Sequence, residues 1–324
     1  MPITFPRGGV HPSDMKARTR DLPTAPFPLP ARVILPMSQH IGAPCKPVVE
    51  KDQRVLTGQL IGEPQGFVSA PIHATVTGTV SSVEPHPHPV TGARVPSVII
   101  ERDGEDEWPE GMNTPQRVEG LTPDEIRKRI VDAGIVGLGG ATFPTHVKLS
   151  PPPDKPIDTV ILNGAECEPY LTRDHRLMLE ETQKIADGFR LIMKTLHCEN
   201  GIVAIEANKP DCADAFRKIA DGEPALRVET LEVKYPQGAE HQLIKALTNR
   251  EIPWRGGLPM AVGCVVHNVA TALAVWEAVH LNRPLIESVI TVSGDAVQNP
   301  GNFRVRIGTP ISEVIAQAGI APDI

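Results

Sequence analysis

Three short stretches of this 324-residue chain hold side chains that could do chemistry. "GIVGLGGATFPTHVKL" (134–149) sets glycines at 134, 137, 139 and 140 and puts Lys148 close behind them. Glycines at that density suit a backbone that bends sharply or lets something approach closely. Successive N–H groups free of Cβ atoms make a concavity for an anion, and Lys148 supplies a countercharge. A solvated turn is the plainer reading of the loop taken alone. "ILNGAECEPYLTRDHRLM" (161–178) places Asn163, Glu166 and Glu168 just past a buried apolar run. Open α/β sheets bind ligands at that edge, and an amide there can donate and accept toward a heterocycle. A polar loop with a proline turn explains the same residues without a ligand. "VVHNVATALAV" (265–275) opens a helix at Asn268, either as a cap or as an inward-facing amide.

Two nucleotide motifs are excluded. In "GLGGAT" Gly137 and Gly139 match a dinucleotide fingerprint, but Thr142 stands where its third glycine belongs. That fingerprint also follows a strand and opens a helix. Here a capped helix, "LTPDEIRKRIVDAG", leads in, and Pro144 follows soon after. A phosphate-binding P-loop fails because no G-K-[ST] occurs.

The remaining composition narrows the partners. A net charge of −7 without long basic runs argues against nucleic acid. No apolar signal segment follows Met1, and residues 259–281, the most apolar stretch, are interrupted by His267, Asn268 and Glu277. A buried strand and helix is expected there rather than a membrane span. The five cysteines are scattered with no C-x-x-C, so neither zinc nor an iron–sulfur cluster is encoded in these residues, and reduced thiols in the cytoplasm are expected. "PHPHP" is expected to hold His86 and His88 in solvent, without further metal ligands.

These residues need elements to hold them. The 34 prolines, many in "DLPTAPFPLPAR", favour an extended arm over residues 1–30. Short β-runs with turn glycines over 31–105 predict a small β module. Its "EKDQRVLTGQLIG…SAPIHATVTGTV" resembles the barrel-sandwich hybrid of biotinyl and lipoyl carriers, but the hairpin that would carry the prosthetic group has no lysine, so a structural role is expected. After an acidic linker, "DGEDEWPEG", residues 106–285 alternate helix and strand, which predicts an α/β domain with a largely parallel sheet. "DHRLMLEETQKIADGFRLIMKTL" reads as one long amphipathic helix. Residues 286–324 read as strand, turn, strand and short helix.

The pieces over 118–275, in this order, resemble the flavin-binding subunit of respiratory complex I. More closely they are similar to the C subunit of the Rnf complex, a membrane-associated ion-pumping NADH:ferredoxin oxidoreductase. The arm's "GGVHPSDMK", the β module and a tail similar to the start of an SLBB β-grasp domain extend that resemblance over nearly the whole chain. It implies a Rossmann-like flavin-binding domain. It further implies that Gly139, Gly140 and Ala141 line FMN, that Lys148 meets its phosphate or ribityl, and that Asn163, Glu166 and Asn268 hold it. Phe143, Glu168 and Glu240 would contact NADH. No residue would be an acid–base catalyst, since the hydride passes straight from nicotinamide to flavin. The implied location is peripheral, on the inner face of the cell membrane, among other subunits and a ferredoxin-like electron partner.

Two features depart from the resemblance. Thr142 occupies a glycine position, which implies overpacking of about 1–3 kcal/mol beside the flavin or a left-handed backbone at a β-branched residue. The family's two [4Fe-4S] cluster motifs are absent, so the sequence reads as a fragment lacking the onward electron route. A related cobalamin reductase, and a scaffold that has lost its flavin, are the alternative expectations.

Overall fold

Strictly alternating burial along Arg32–Pro36 and long β-runs later in the same region build the first layers. The computed structural model describes residues 1–320. In chain order the leading strands are β1 (Thr24–Pro26), β2 (Arg32–Pro36), β3 (Lys46–Pro47), β4 (Arg54–Val55), β5 (Leu60–Glu63), β6 (Ile72–His73), β7 (Gly78–Pro87) and β8 (Arg94–Arg102). They form a four-stranded sheet β2-β8-β7-β4 and a three-stranded sheet β3-β5-β6. Val33, Leu35, Val55, Ile61, Val76 and Ile100 share one buried core, as alternation with one apolar face requires. β7 runs further than the sequence implies: His86 pairs with Val95 across the ladder, and His88 bonds through Nε2 to Ser38 O at 3.0 Å. Both histidines are half-buried, which corrects the expected solvated turn.

The elements that follow are α1 (Pro123–Asp132), α2 (Thr145–Lys148), β9 (Thr159–Gly164), α3 (Arg173–Glu180), α4 (Thr182–Thr195), β10 (Gly201–Glu206), α5 (Pro210–Ala220), β11 (Leu226–Leu231), α6 (Glu240–Thr248), β12 (Cys264–Asn268) and α7 (Val269–Leu281). β10 is buried at all six positions and β9 at five, the pattern of strands covered on both faces. The edge strand β11 is covered fully only at its two ends. All pairings are parallel, in the order β11-β10-β9-β12.

The expected single long helix is two. Glu181, at φ −126°, breaks it, and Thr182 Oγ1 donates to Met178 O at 2.6 Å. A hydroxyl that bonds back one turn competes for a helical carbonyl and bends the helix.

The tail supplies β13 (Glu287–Val292), β14 (Gly301–Arg306) and α8 (Ile311–Ala318). β14 pairs antiparallel with β13 and parallel with β1, so the proline-rich arm contributes a strand here. Residues 321–324 of the expected tail segment lie outside the described residues. By contacts the chain divides into two units. One holds Met1–Pro23, Thr122–Asp124 and Lys148–Trp276; the other holds Thr24–Leu121, Glu125–Val147 and Glu277–Ile324.

Candidate functional site

Within the first unit the sheet has a topological switch point. The chain moves outward from β9 to β10 and β11, then returns to lay β12 on the other flank of β9. The strand order therefore reverses between β9 and β12, and ligands of such sheets bind at the C-terminal ends of strands at that reversal. Asn163, next to last in β9, and Asn268, last in β12, are direct partners in the ladder. Two residues 105 positions apart, singled out separately in the sequence, thus stand side by side at the ligand edge.

Their amides are held in place. Asn163 Nδ2 donates to Gly238 O at 2.9 Å, and its Oδ1 accepts from Ala165 N at 3.0 Å. Asn268 Oδ1 accepts from Ala270 N at 2.8 Å, which caps α7, while Nδ2 donates to Asp174 Oδ2 at 2.6 Å. Of the two expected roles, the structure shows the cap, with the amide nitrogen engaged by Asp174.

Glu166 is only 2% exposed. Its Oε1 accepts from Asp174 N at 2.8 Å, and its Oε2 lies 3.5 Å from Lys16 Nζ without a hydrogen-bond partner. Burial foremost, then the Asp174 carboxylate, pushes its carboxyl up to about 7, against the pull of Lys16 and Lys209. Glu168, by contrast, is exposed. Lys148 donates to Glu240 Oε1 at 3.3 Å and to Val266 O at 3.0 Å, so two residues expected on different ligands are partners. A phosphate reaching Lys148 would compete with Glu240 for it.

The raised carboxyl of Glu166 has a consequence with a definite sign. The folded chain holds a proton that the unfolded chain releases near its ordinary value of 4.5. That contribution to stability is whole below about pH 4.5 and lost as pH rises through about 7. Glu166→Gln is expected to flatten this fall, of order 1–3 kcal/mol. Thermal melts at several values across that window check it; a profile identical to the wild type would refute the assignment.

The glycine loop belongs to the second unit. Gly137 N donates to Phe143 O at 2.9 Å and Thr145 N to Ile135 O at 3.0 Å, which pinches the loop at its base. His146 packs beneath it: its ring lies edge-on to Phe67, and its Nε2 is 2.9 Å from Phe67 O. Gly139, Gly140 and Ala141 are exposed at the tip, with Thr142 and Phe143 half-buried. Gly134 has φ +65°, and a Cβ there would stand 2.2 Å from Pro71 O, so the fold itself demands glycine. Gly140 is different. Its φ is not left-handed, and a Cβ would meet nothing within 4 Å. The described residues give no internal reason for it, whereas a flat ligand laid on the loop would.

Thr142 does adopt the left-handed backbone, at φ +52°. For a β-branched residue that costs about 1–3 kcal/mol. Thr142→Gly is therefore expected to raise the unfolding free energy by about 1 kcal/mol after glycine's extra unfolded-state entropy. A urea titration measures this; a lowered midpoint would show the backbone is not strained there.

Sequence reasoning missed four buried charged residues around Glu166: Lys16 at 4% exposure, Asp174 at 5%, Glu206 at 1% and Lys209 at 1%. Lys209 Nζ pairs with Glu206 Oε2 at 2.6 Å. Only local spacing was legible in sequence, and Glu206–Lys209 looks like an ordinary surface pair there.

A parallel sheet of this order with amides at its switch point defines a nucleotide-binding α/β domain. In agreement, residues 130–277 match the Nuo51 FMN-binding domain, residues 4–105 the RnfC barrel sandwich hybrid domain, and residues 289–323 the SLBB domain. The chain is 49% identical, over 97% of its length and 70% of the relative's, to the C subunit of the Na(+)-translocating ferredoxin:NAD(+) oxidoreductase complex of Acetobacterium woodii. It is 50% identical, over 97% of its length and 68% of the relative's, to the proton-translocating counterpart of Clostridium ljungdahlii. With the C subunit of the ion-translocating oxidoreductase complex of Rhodobacter capsulatus the identity is 44%, spanning 97% of this chain and 60% of that protein. A crystal structure of an NAD+-reducing [NiFe]-hydrogenase is similar at a TM-score of 0.52 and 26% identity, over 61% of this chain and 39% of that one. The chain belongs to the RnfC family, the C subunits of the Rnf-type ion-translocating oxidoreductase complexes, and so to the oxidoreductases of electron transport.

Proposed function

We propose that this chain binds FMN and oxidises NADH as the nucleotide-handling subunit of a membrane-associated, ion-translocating NADH:ferredoxin oxidoreductase. The observation that carries the reading is the paired Asn163 and Asn268 at the switch point of a sheet matching an FMN-binding domain. Gly139, Gly140 and Ala141 line the flavin, Lys148 neutralises its phosphate or meets its ribityl, and Asn163, Glu166 and Asn268 hold it. Phe143, Glu168 and Glu240 take NADH. Bound FMN supplies a two-electron hydride acceptor. The protein's own share is orientation and electrostatics: the amides stand fixed by their hydrogen bonds before any ligand arrives, which lowers the ordering cost of binding.

Several further parts of the reading rest on the family. Electrons leave toward [4Fe-4S] clusters outside these residues and reach a ferredoxin-like partner. Among the described residues no helix is long and apolar enough to cross a membrane. Attachment to the inner membrane face through partner subunits is part of the same proposal. The test is an absorbance titration of the purified chain with FMN, followed by anaerobic NADH. Uptake of flavin and bleaching of its visible absorbance on NADH addition is the expected result. Absence of uptake, in the wild type and in Thr142→Gly alike, would overturn the reading.

A further inference from the structure

We propose that Lys16, in the N-terminal arm, is the positioning residue for the loop that carries Glu166 and Glu168. Its ammonium donates to Glu166 O at 2.9 Å, to Glu168 O at 3.0 Å, and to Leu171 O. An ammonium group has three N–H donors, and three carbonyls take them all. Glu166 Oε2 lies 3.5 Å away, outside the three bonded carbonyls, and takes no fourth donor. The loop is thus wrapped around a cation contributed by a segment some 150 residues upstream.

The arm grips the loop at other points too. Tyr170 N donates to Asp14 O at 2.9 Å, and Thr172 Oγ1 bonds to Thr19 Oγ1 at 2.8 Å. Met15 at φ +51° and Tyr170 at φ +70° flank the contact, two large residues kept in the left-handed region. A buried lysine is expensive unless its partners fully replace water. A methionine of similar length would fill the space more cheaply if packing were its only task. Beneath the loop lies a cavity of about 110 Å³ lined by His11, Asp14, Lys16, Glu166, Glu206 and Asn208, among others. The loop borders this cavity, and its ties to the arm are the hydrogen bonds made by Lys16, Tyr170 and Thr172.

The clasp itself needs no ligand, but its kinetic consequence rests on the proposed NADH and FMN reading. Hydrogen exchange and steady-state kinetics of the full chain test the two separately. In Lys16→Met, amides of residues 164–172 are expected to exchange about tenfold or more faster, with β10 and β11 unchanged. In the flavin-loaded protein, KM for NADH is expected to rise about tenfold with kcat within about twofold. Lys16→Arg keeps the charge but cannot aim three donors at one convergent set of carbonyls, so it is expected to behave as Lys16→Met does. Unchanged exchange in 164–172 would overturn the proposal. So would acceleration spread equally over 201–206 and 226–231, or full rescue by arginine. A wild-type chain that takes up no flavin would sink the FMN reading alone, while the exchange result still decides the clasp.

Discussion

Gly140→Leu is expected to weaken FMN uptake by about 100-fold or more while leaving the fold at least as stable as the wild type. That loss corresponds to about 2.7 kcal/mol of binding free energy. Gly140 needs no left-handed backbone, and a side chain there meets nothing in the described residues, so folding has no stake in its absence. Replacing such a glycine even removes unfolded-state entropy, worth about 0.4–1 kcal/mol in favour of the fold. What leucine does occupy is the space over the exposed tip, where the flavin is proposed to lie. Gly134 is the control within the same loop: at φ +65°, with Pro71 O 2.2 Å from its would-be Cβ, Gly134→Ala is expected to destabilise the chain. One loop thus holds a glycine that the fold demands and one that is proposed to serve the flavin. Melting curves and a flavin titration on both variants decide it. Wild-type flavin affinity in Gly140→Leu would show that the tip is not the flavin's seat.

Much of the fold was legible because its signals are local. The apolar runs that became β9 and β10 are short and unbroken, as strands covered on both faces are, and Gly134 follows α1 at a position where only glycine fits. Strand order was not legible, since β12 could have joined either flank of β9 without changing its own residues. The break at Glu181 was hidden for another reason. No glycine or proline marks it, and the cause is a threonine hydroxyl that prefers a backbone carbonyl to solvent. β1 was equally silent: Thr24–Pro26 looks like irregular arm until β14, far downstream, offers it a partner.

The site divides along the same line. Asn163 and Asn268 stood out as polar residues closing apolar runs, yet their adjacency is a property of the sheet register. Lys16 closes the "GGVHPSDMK" stretch that carries the resemblance, yet its burial had no local mark, because a lysine that binds three carbonyls in a distant loop has the same sequence surroundings as a solvated one. Lys209 and Glu206 are three residues apart, the spacing of countless exposed helical pairs, but here the 2.6 Å contact is sealed from water. Burial, which decides whether a charge is inert or strongly coupled, is the quantity that spacing does not carry.

The contact between α4 and α7 carries the second large effect. Gly188→Ala is expected to destabilise the chain by about 3 kcal/mol, although alanine is the better helix former by about 1 kcal/mol. A Cβ on Gly188 would lie 1.9 Å from Ala272 O and 3.3 Å from Trp276 Cβ. The first obstacle is backbone, so no rotamer change relieves it, and the two helices must part. α7 has little freedom to yield, because its first residues from Val269 to Val275 are all buried. It is also the helix that Asn268 caps, through the bond from Ala270 N. A displaced α7 would drag that cap, and with it the amide paired beside Asn163, so flavin affinity should fall together with the denaturation midpoint. Chemical denaturation and flavin titration of the same sample measure both losses. A stable Gly188→Ala chain would mean the helices do not meet at this point. A destabilised chain that still binds flavin at full strength would mean Asn268 holds its position without α7.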